Sequence, residues 1–399
     1  MIEKKYICFM IDTPIVQSYF SYYVLDAFGD EGYQIELVDI SPVTNIKAFK
    51  IVKEDLIDYS APNVYLCKSY KEIDEIIDNM PIEAIVITSF GWMLPYYPIF
   101  SHLTKNKIRY GHMILNSCYE LTGTVSIKER IAAFFRRLSL KYIADVVFRR
   151  LPKTCFNINN CSFLINNSYE EIEGYKKRFY CNKDTKFLVI HSNTYEEALK
   201  NKDQKPLLTT KYCLWLDSYI PYHPDLVSMN IKIEPEKYYN SLRKFFYWIQ
   251  NTYGIQVVIS AHPRSNYKLH PEAYDGFPVI KGNTCILVRD AEFVITAAST
   301  SFLYAVTYQK PFIFIYNDIL NELLEAHISF IYNVSKEFNK QPINIDKFNG
   351  EKAITDRQLI VEQPCYFKSA KTYIKSNYNG TIDGISYKKT IINFLENEI

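Results

Sequence analysis

The chain has 399 residues, a length that suits two α/β domains better than one ordinary core. Hydrophobic residues make up 48% and charged residues 23%, which excludes a disordered or fibrous chain, and 46 basic against 44 acidic residues leave no global field to attract nucleic acid. Nine cysteines stand singly, without a CxxC pair or zinc-ligand spacing, and no run reaches the roughly 18 apolar residues of a membrane span; with an N-terminus unlike a signal peptide, these features point to the cytoplasm.

Tyr6–Ile11 is an apolar run of strand type that ends at Asp12. An amphipathic stretch over 18–28 follows, and after Gly32-Tyr33 a second strand is expected over 34–38, which makes a βαβ opening. Apolar runs at 84–88, closed by Ser89-Phe90-Gly91, at 110–115, closed by Asn116-Ser117, and at 163–165 and 187–190 continue the pattern. Strands that are apolar throughout and separated by helices predict a parallel sheet covered on both faces. A polar stretch over 203–210 containing Pro206 sets the expected boundary between an N-terminal domain, 1–205, and a C-terminal domain, 206–380. The second domain repeats the logic: strand Tyr212–Leu216, helix 235–252, strand 256–260, strand 278–280, helix Thr284–Asp290, strand 293–296, a helix from Phe302 and strand Phe312–Tyr316. The last segment, 381–399, is read as a helix that packs back on the N-terminal domain. With 34 tyrosines in the chain, no single one can be singled out as a sugar contact.

In open α/β sheets ligands bind beyond the carboxyl ends of the strands, where helix starts favour anions. The strand 256–260 opens onto His262-Pro263-Arg264, a hydrogen-bonding ring beside a permanent cation, which is what a phosphate needs. The bland alternative is a solvated loop ended by proline. Strand 293–296 leads to Ser299-Thr300-Ser301, whose hydroxyls and backbone N–H groups would grip another face of the phosphate; N-capping of a helix is the alternative. Lys281-Gly282-Asn283-Thr284 would reach the ribose or base, or form a simple turn and cap.

His262-Pro263 together with Ser299-Thr300-Ser301 resembles the HP and SS/ST motifs of bacterial sialyltransferases and of Kdo transferases of capsule synthesis. The run 215–225, with the two motifs downstream, is also similar to uncharacterised proteins of surface-polysaccharide gene clusters. The resemblance covers residues 212–316. It implies a GT-B fold, two Rossmann-like domains facing a cleft, with the histidine and hydroxyls binding the phosphate of a CMP-activated sugar and a glycan or lipid-linked glycan as acceptor. Those sialyltransferases draw their general base from an acidic pair followed by glycine. Asp30-Glu31-Gly32 matches that only in letters and reads as a helix terminus.

A base is still required to take the acceptor proton. Asp12, at the end of the first strand, is the first choice, with capping of the next helix as its alternative role; His112 and Glu120 are held in reserve. Asp217 and His223 are candidate donor or acceptor contacts, and Asp225 a turn cap. Because no DxD-like pair stands at a strand end and His262 and Arg264 already meet the phosphate charge, no essential metal and no cofactor are expected. The run 127–153 carries eight basic and two acidic residues at helical spacing and suits either peripheral contact with an anionic membrane or an ordinary helix with a solvated basic side. Transfer of a Kdo-like or sialic-acid-like residue leads the readings. A UDP- or GDP-hexose transferase, a CDP-polyol phosphotransferase of the teichoic-acid type and a non-catalytic sugar-nucleotide-binding protein stand behind it.

Overall fold

A computed structural model describes residues 5–52, 56–115, 119, 140–151, 153–168, 172–223, 226, 229, 231–348 and 354–399. The chain divides into two compact units: Met1–Leu115, Ile127–His191 and Ser386–Ile399 form the first, and Asn116–Ser126 and Ser192–Ile385 the second.

The first unit is built on a parallel sheet of strands β1 (Tyr6–Ile11), β2 (Gln34–Asp39), β3 (Val64–Leu66), β4 (Ile85–Thr88), β5 (Arg109–Ile114), β6 (Phe163–Asn166) and β7 (Lys186–Val189), in the order β3-β2-β1-β4-β5-β6-β7. β1 shows why these sequences choose this arrangement. Its residues alternate between two cores: Ile7, Phe9 and Ile11 join one, and Cys8 and Met10 the other. Both faces are covered, so the run has no polar face to show. The stretch 18–28 forms two short helices, Ser18–Tyr22 and Leu25–Asp30, instead of one, because Val24 sits at φ 49° between them. That turn sets Tyr23 against Phe9, with ring centroids 5.4 Å apart, and places Leu25 in the same core. The edge strand β3 was invisible to the pattern, being only three residues long.

The second unit contains β8 (Tyr212–Leu216), β9 (Gln256–Ala261), β10 (Val279–Lys281), β11 (Val294–Thr296), β12 (Phe312–Tyr316) and β13 (Ile343–Asn344), all parallel, in the order β10-β9-β8-β11-β12-β13. The helix Pro235–Tyr253 buries Tyr238, Tyr239, Leu242, Phe245, Phe246 and Ile249, one stripe at three- and four-residue spacing. Proline opens that helix and Gly254, at φ 62°, ends it by donating its N–H to Gln250 O.

The chain enters the second unit at Ser192, ahead of the polar stretch 203–210 that the sequence suggested as the boundary. The reason is the helix Asn193–Asn201: Ser192 N donates to Ile374 O at 2.7 Å, and Tyr195 is fully buried with its hydroxyl donating to Asp383 O at 2.9 Å. The polar stretch is therefore a loop within the second unit. At the other end the chain returns to the first unit, where the helix Lys388–Glu398 buries Ile391, Ile392 and Leu395 in the core that holds Phe9.

In both sheets the strand order reverses about the first strand, so β1 lies between β2 and β4, and β8 between β9 and β11. The crevice beyond such a reversal is where open α/β sheets take ligands. Replacing fully buried Ile391 with alanine should cost about 2–5 kcal/mol, read as a lower urea midpoint at unchanged slope, if the C-terminal helix is integral to the first unit.

Candidate functional site

At the carboxyl end of β8 stands Asp217, which is 3% exposed. Its Oδ1 accepts from Tyr274 OH at 2.9 Å and Tyr219 N at 3.0 Å; its Oδ2 accepts from Tyr267 OH at 2.7 Å and His262 N at 3.2 Å. Trp215 Nε1 in turn donates to Tyr274 OH at 2.8 Å. Burial pushes the Asp217 carboxyl above the usual carboxylate range while the four hydrogen bonds pull it back. Asp217 therefore does not project towards a donor or acceptor, as the sequence reading had it. It fastens the end of β8 to the start of the His262 loop.

His262 follows β9 and is half-buried, beside exposed Pro263 and half-buried Arg264. Its Nδ1 accepts the Arg264 backbone N–H at 3.1 Å, which fixes the neutral tautomer: the remaining ring hydrogen sits on Nε2. Burial first, then the nearby His223, Arg264 and Lys281, pull the His262 pKa down to about 3. The His223 ring lies 5.0 Å away in an edge arrangement. At neutral pH His262 is thus an uncharged N–H donor, and the fixed charge beside it belongs to Arg264. No helix follows this loop; turns carry the chain from Pro263 to β10. An anion at this end would meet side chains rather than a helix dipole.

β9 and β11 flank β8, so the His262 and Ser299 loops leave the sheet about 10 Å apart, two strand spacings. The strand between them is β8, and β10 lies at the outer edge. Lys281 Nζ donates to Ser265 O at 2.9 Å, and Thr284 Oγ1 shares a hydrogen bond of 2.8 Å with Ser260 Oγ. Both brace the His262 loop, and Asn283, at φ 59°, is exposed in that turn. Ser299 makes no side-chain capping bond to the turn Thr300–Phe302, so N-capping does not consume its hydroxyl. Thr300 is exposed and Ser299 and Ser301 are half-buried, while fully buried Phe302 anchors the turn against Phe312 and Phe314. The helix that follows, Leu303–Thr307, has five residues and little dipole to lend.

In the first unit Asp12 follows β1 and is half-buried. Ser89 Oγ, at the end of β4, donates to Oδ1 at 2.7 Å, and Tyr96 OH donates to Oδ2 at 2.7 Å. The next helix begins only at Ser18, so Asp12 does not cap it. His112 is a correction: it lies within β5, 1% exposed, with Nδ1 2.8 Å from Thr88 Oγ1 and its ring 4.1 Å from Phe179. Burial lowers its pKa to about 3, the property of a core histidine rather than of a base at a strand end. Glu120, Asp225 and residues 127–139 of the basic run lie outside the described residues. Asp30 ends a helix that Gly32, at φ 78°, terminates, the helix terminus expected of this run. A cavity of about 510 Å³ beside β2 and β3, lined by Tyr6, Glu36, Tyr65 and Cys67 among others, includes none of these residues. Among the described residues no group of three or more His, Cys, Asp or Glu could hold a metal ion.

Sequence reasoning missed the partners that fix the site. Tyr267 and Tyr274 were lost among many tyrosines, and Tyr96 likewise; Ser89, closing an apolar strand beside the one that ends in Asp12, was the one partner with a legible signal.

No family model matches the chain, and no curated protein matches its sequence. Solved structures do match. A histidine variant of the wall teichoic acid polymerase TagF superposes with a TM-score of 0.54 at 13% identity, covering 99% of this chain and 89% of that one. A second TagF structure, soaked with CDPG, gives 0.51 at 10% identity over 99% and 88%. The calicheamicin glycosyltransferase CalG4 gives 0.51 at 10% identity over 93% of each chain. Two parallel-sheet units together with these likenesses establish an α/β chain of GT-B type.

Asp217→Ala would strand two tyrosine hydroxyls and two backbone N–H groups, at about 1–3 kcal/mol for each one left unmet, so a loss of at least about 3 kcal/mol is expected in denaturant melts, with Asp217→Asn losing less. The two histidines with depressed pKa values make stability pH-dependent. Between the ordinary 6.5 and about 3 the folded chain binds fewer protons than the unfolded one, so their contribution is complete above pH 6.5 and is lost as pH falls. In His112→Gln the drop in Tm between about pH 7 and about pH 5 should be smaller than in the wild type.

Proposed function

We propose that this chain is a glycosyltransferase that moves a CMP-activated acidic sugar, Kdo-like or sialic-acid-like, onto a surface glycan. The observation that supports this reading most is the Arg264 N–H held on His262 Nδ1, which leaves a neutral Nε2–H donor beside a permanent cation. When the bond between the anomeric carbon and the phosphate oxygen breaks, negative charge grows on that oxygen. Nε2–H of His262 hydrogen-bonds it, the Arg264 guanidinium carries the charge, and the hydroxyls of Ser299, Thr300 and Ser301 supply further donors. Asp12, its carboxylate oriented by Ser89 and Tyr96, takes the proton of the acceptor hydroxyl. Phosphate charge is met by side chains, so turnover should persist in EDTA.

A second reading has one specific support: the fold-level likeness to TagF, one structure of which was soaked with CDPG. In phosphoryl transfer from a CDP-polyol, an acceptor oxygen attacks the β-phosphorus and CMP departs, so the same His262 and Arg264 would hold the same leaving group. The two readings share a product and differ in the donor.

Calorimetry with CMP, CDP, UDP, UMP and GDP, on the wild type and His262→Ala, tests the site. Tightest binding of CMP, weakened at least about tenfold in the variant, is the expected result. Preference for UDP or GDP would move the donor to a hexose nucleotide, and no binding of any nucleotide would overturn the phosphate site. Binding without turnover of any donor would point to a binding protein. Once a donor is known, Asp12→Asn should lower kcat by about 10²–10⁴ while leaving CMP affinity unchanged.

A further inference from the structure

The helix Leu140–Arg150 of the first unit has one face tied to its neighbours and another left apolar and open. On the tied face, Asp145 Oδ1 accepts the Leu94 N–H at 2.8 Å, and Phe148 stacks on Trp92 with ring centroids 4.8 Å apart and planes at 23°. Asp145 is 8% exposed and Phe148 5% exposed, so these two residues set the rotation of the helix about its axis. On the open face, Leu140 is 87% exposed, Ile143 39%, Val147 52% and Leu151 45%. Exposed Ala144 lies among them, and the Leu151 N–H donates to Val147 O at 3.2 Å, carrying the last turn through Leu151. Positions 140, 143, 144, 147 and 151 share one arc of roughly 100° on a helix of 3.6-residue period. Four large aliphatic side chains in a single row are unusual on a solvated helix, where exposed apolar residues are normally scattered.

Charge completes the picture. The one acidic residue of this helix, Asp145, is buried and paired with Arg149 at 2.9 Å, so its exposed surface carries no anion. Arg150, exposed at its end, borders the row beside Ile143, while Arg149, paired with Asp145, lies on the opposite side of the helix. The row holds no aromatic or methionine side chain, the types enriched at the centre of protein interfaces. Aliphatic side chains bordered by an arginine, with no exposed anion on the helix, fit the boundary between acyl chains and phosphate headgroups, where the guanidinium reaches the phosphates while its stem stays in apolar surroundings.

We infer that the face formed by Leu140, Ile143, Val147 and Leu151, with Arg150 at its edge, docks the chain on an anionic lipid bilayer. Insertion is shallow: no helix among the described residues is long and apolar enough to cross a membrane. The inference does not depend on which donor the chain uses, and its test involves no nucleotide.

The test is cosedimentation of the full chain with vesicles of phosphatidylcholine alone and of equal parts phosphatidylcholine and phosphatidylglycerol. Wild type should pellet with the anionic vesicles, weakly with the neutral ones, and less at about 0.5 M salt. Val147→Asp should weaken the partition at least about tenfold, and Leu140→Asp, at the most exposed position, should do the same with an unchanged melting temperature. Equal pelleting on neutral and anionic vesicles, or of wild type and both variants, overturns the inference, as does no pelleting at all. So does a wild type that sediments as a dimer in free solution while Val147→Asp is a monomer, which would give the face to a second copy of the chain.

Discussion

The site in the second unit depends on how one buried carboxylate is satisfied. A carboxylate taken out of water loses hydration worth several kcal/mol, and it remains ionised in the interior only where hydrogen bonds replace the shell. Asp217 collects four of them, from two backbone N–H groups and two phenols spread over residues 219 to 274. Each donor is thereby committed. The His262 N–H cannot turn outward without stranding an oxygen, Tyr267 and Tyr274 cannot swing away, and the loop that carries Arg264 inherits their rigidity. Lys281 bonding to Ser265 O closes the same loop from its far side. The His262 imidazole, its Nδ1 held by the Arg264 N–H, keeps its orientation on such a loop.

A comparison of the two units shows how the same sheet logic yields two kinds of carboxylate. Each reversal strand ends in an aspartate that bonds across to a neighbouring strand: Asp12 to Ser89 after β4, and Asp217 to His262 after β9. An ionised carboxyl has about four lone-pair sites. Asp217 has filled all of its sites with donors and is nearly out of contact with solvent, so it has no capacity to receive a proton from a substrate. Asp12 accepts two side-chain bonds, is half-buried, and retains sites for a third partner. Position in the fold alone would give both residues the same role; the donor count separates them.

The sheets were legible because parallel strands buried on both faces leave an unmistakable mark in sequence, and β8 and β12 fell at their observed bounds. What was not legible follows from what the pattern omits. β3 is too short to show a period, and the break at Val24 arises from aromatic packing on Phe9, which lies on another element. The transition at Ser192 is set by contacts with residues 374 to 383, far along the chain, so the polar loop at 203–210 looked like the boundary when it was only a loop. The candidate site divided the same way. His262, Arg264 and Ser299 were singled out as polar residues at the ends of apolar strands, and the structure places them after β9 and β11, the strands that flank β8. His112 misled for the complementary reason: a polar residue inside a strand, once its ring is stacked and one nitrogen bonded, is simply core.

The neutrality of His262 also bears on turnover. A sugar joined to CMP carries one negative charge on its phosphodiester, whereas released CMP approaches two at neutral pH, since the second phosphate pKa is about 6. On the proposed reading, a further cation at the site would hold that product more tightly than the donor and slow its departure. On the same reading, the uncharged imidazole beside Arg264 and Lys281 adds a hydrogen-bond donor to the site rather than another charge. Charge that develops in the transition state is still stabilised, because a preorganised N–H strengthens its bond as the oxygen becomes more basic. On that reading, burial of His262 beside His223, Arg264 and Lys281 removes a charge that would retain the product.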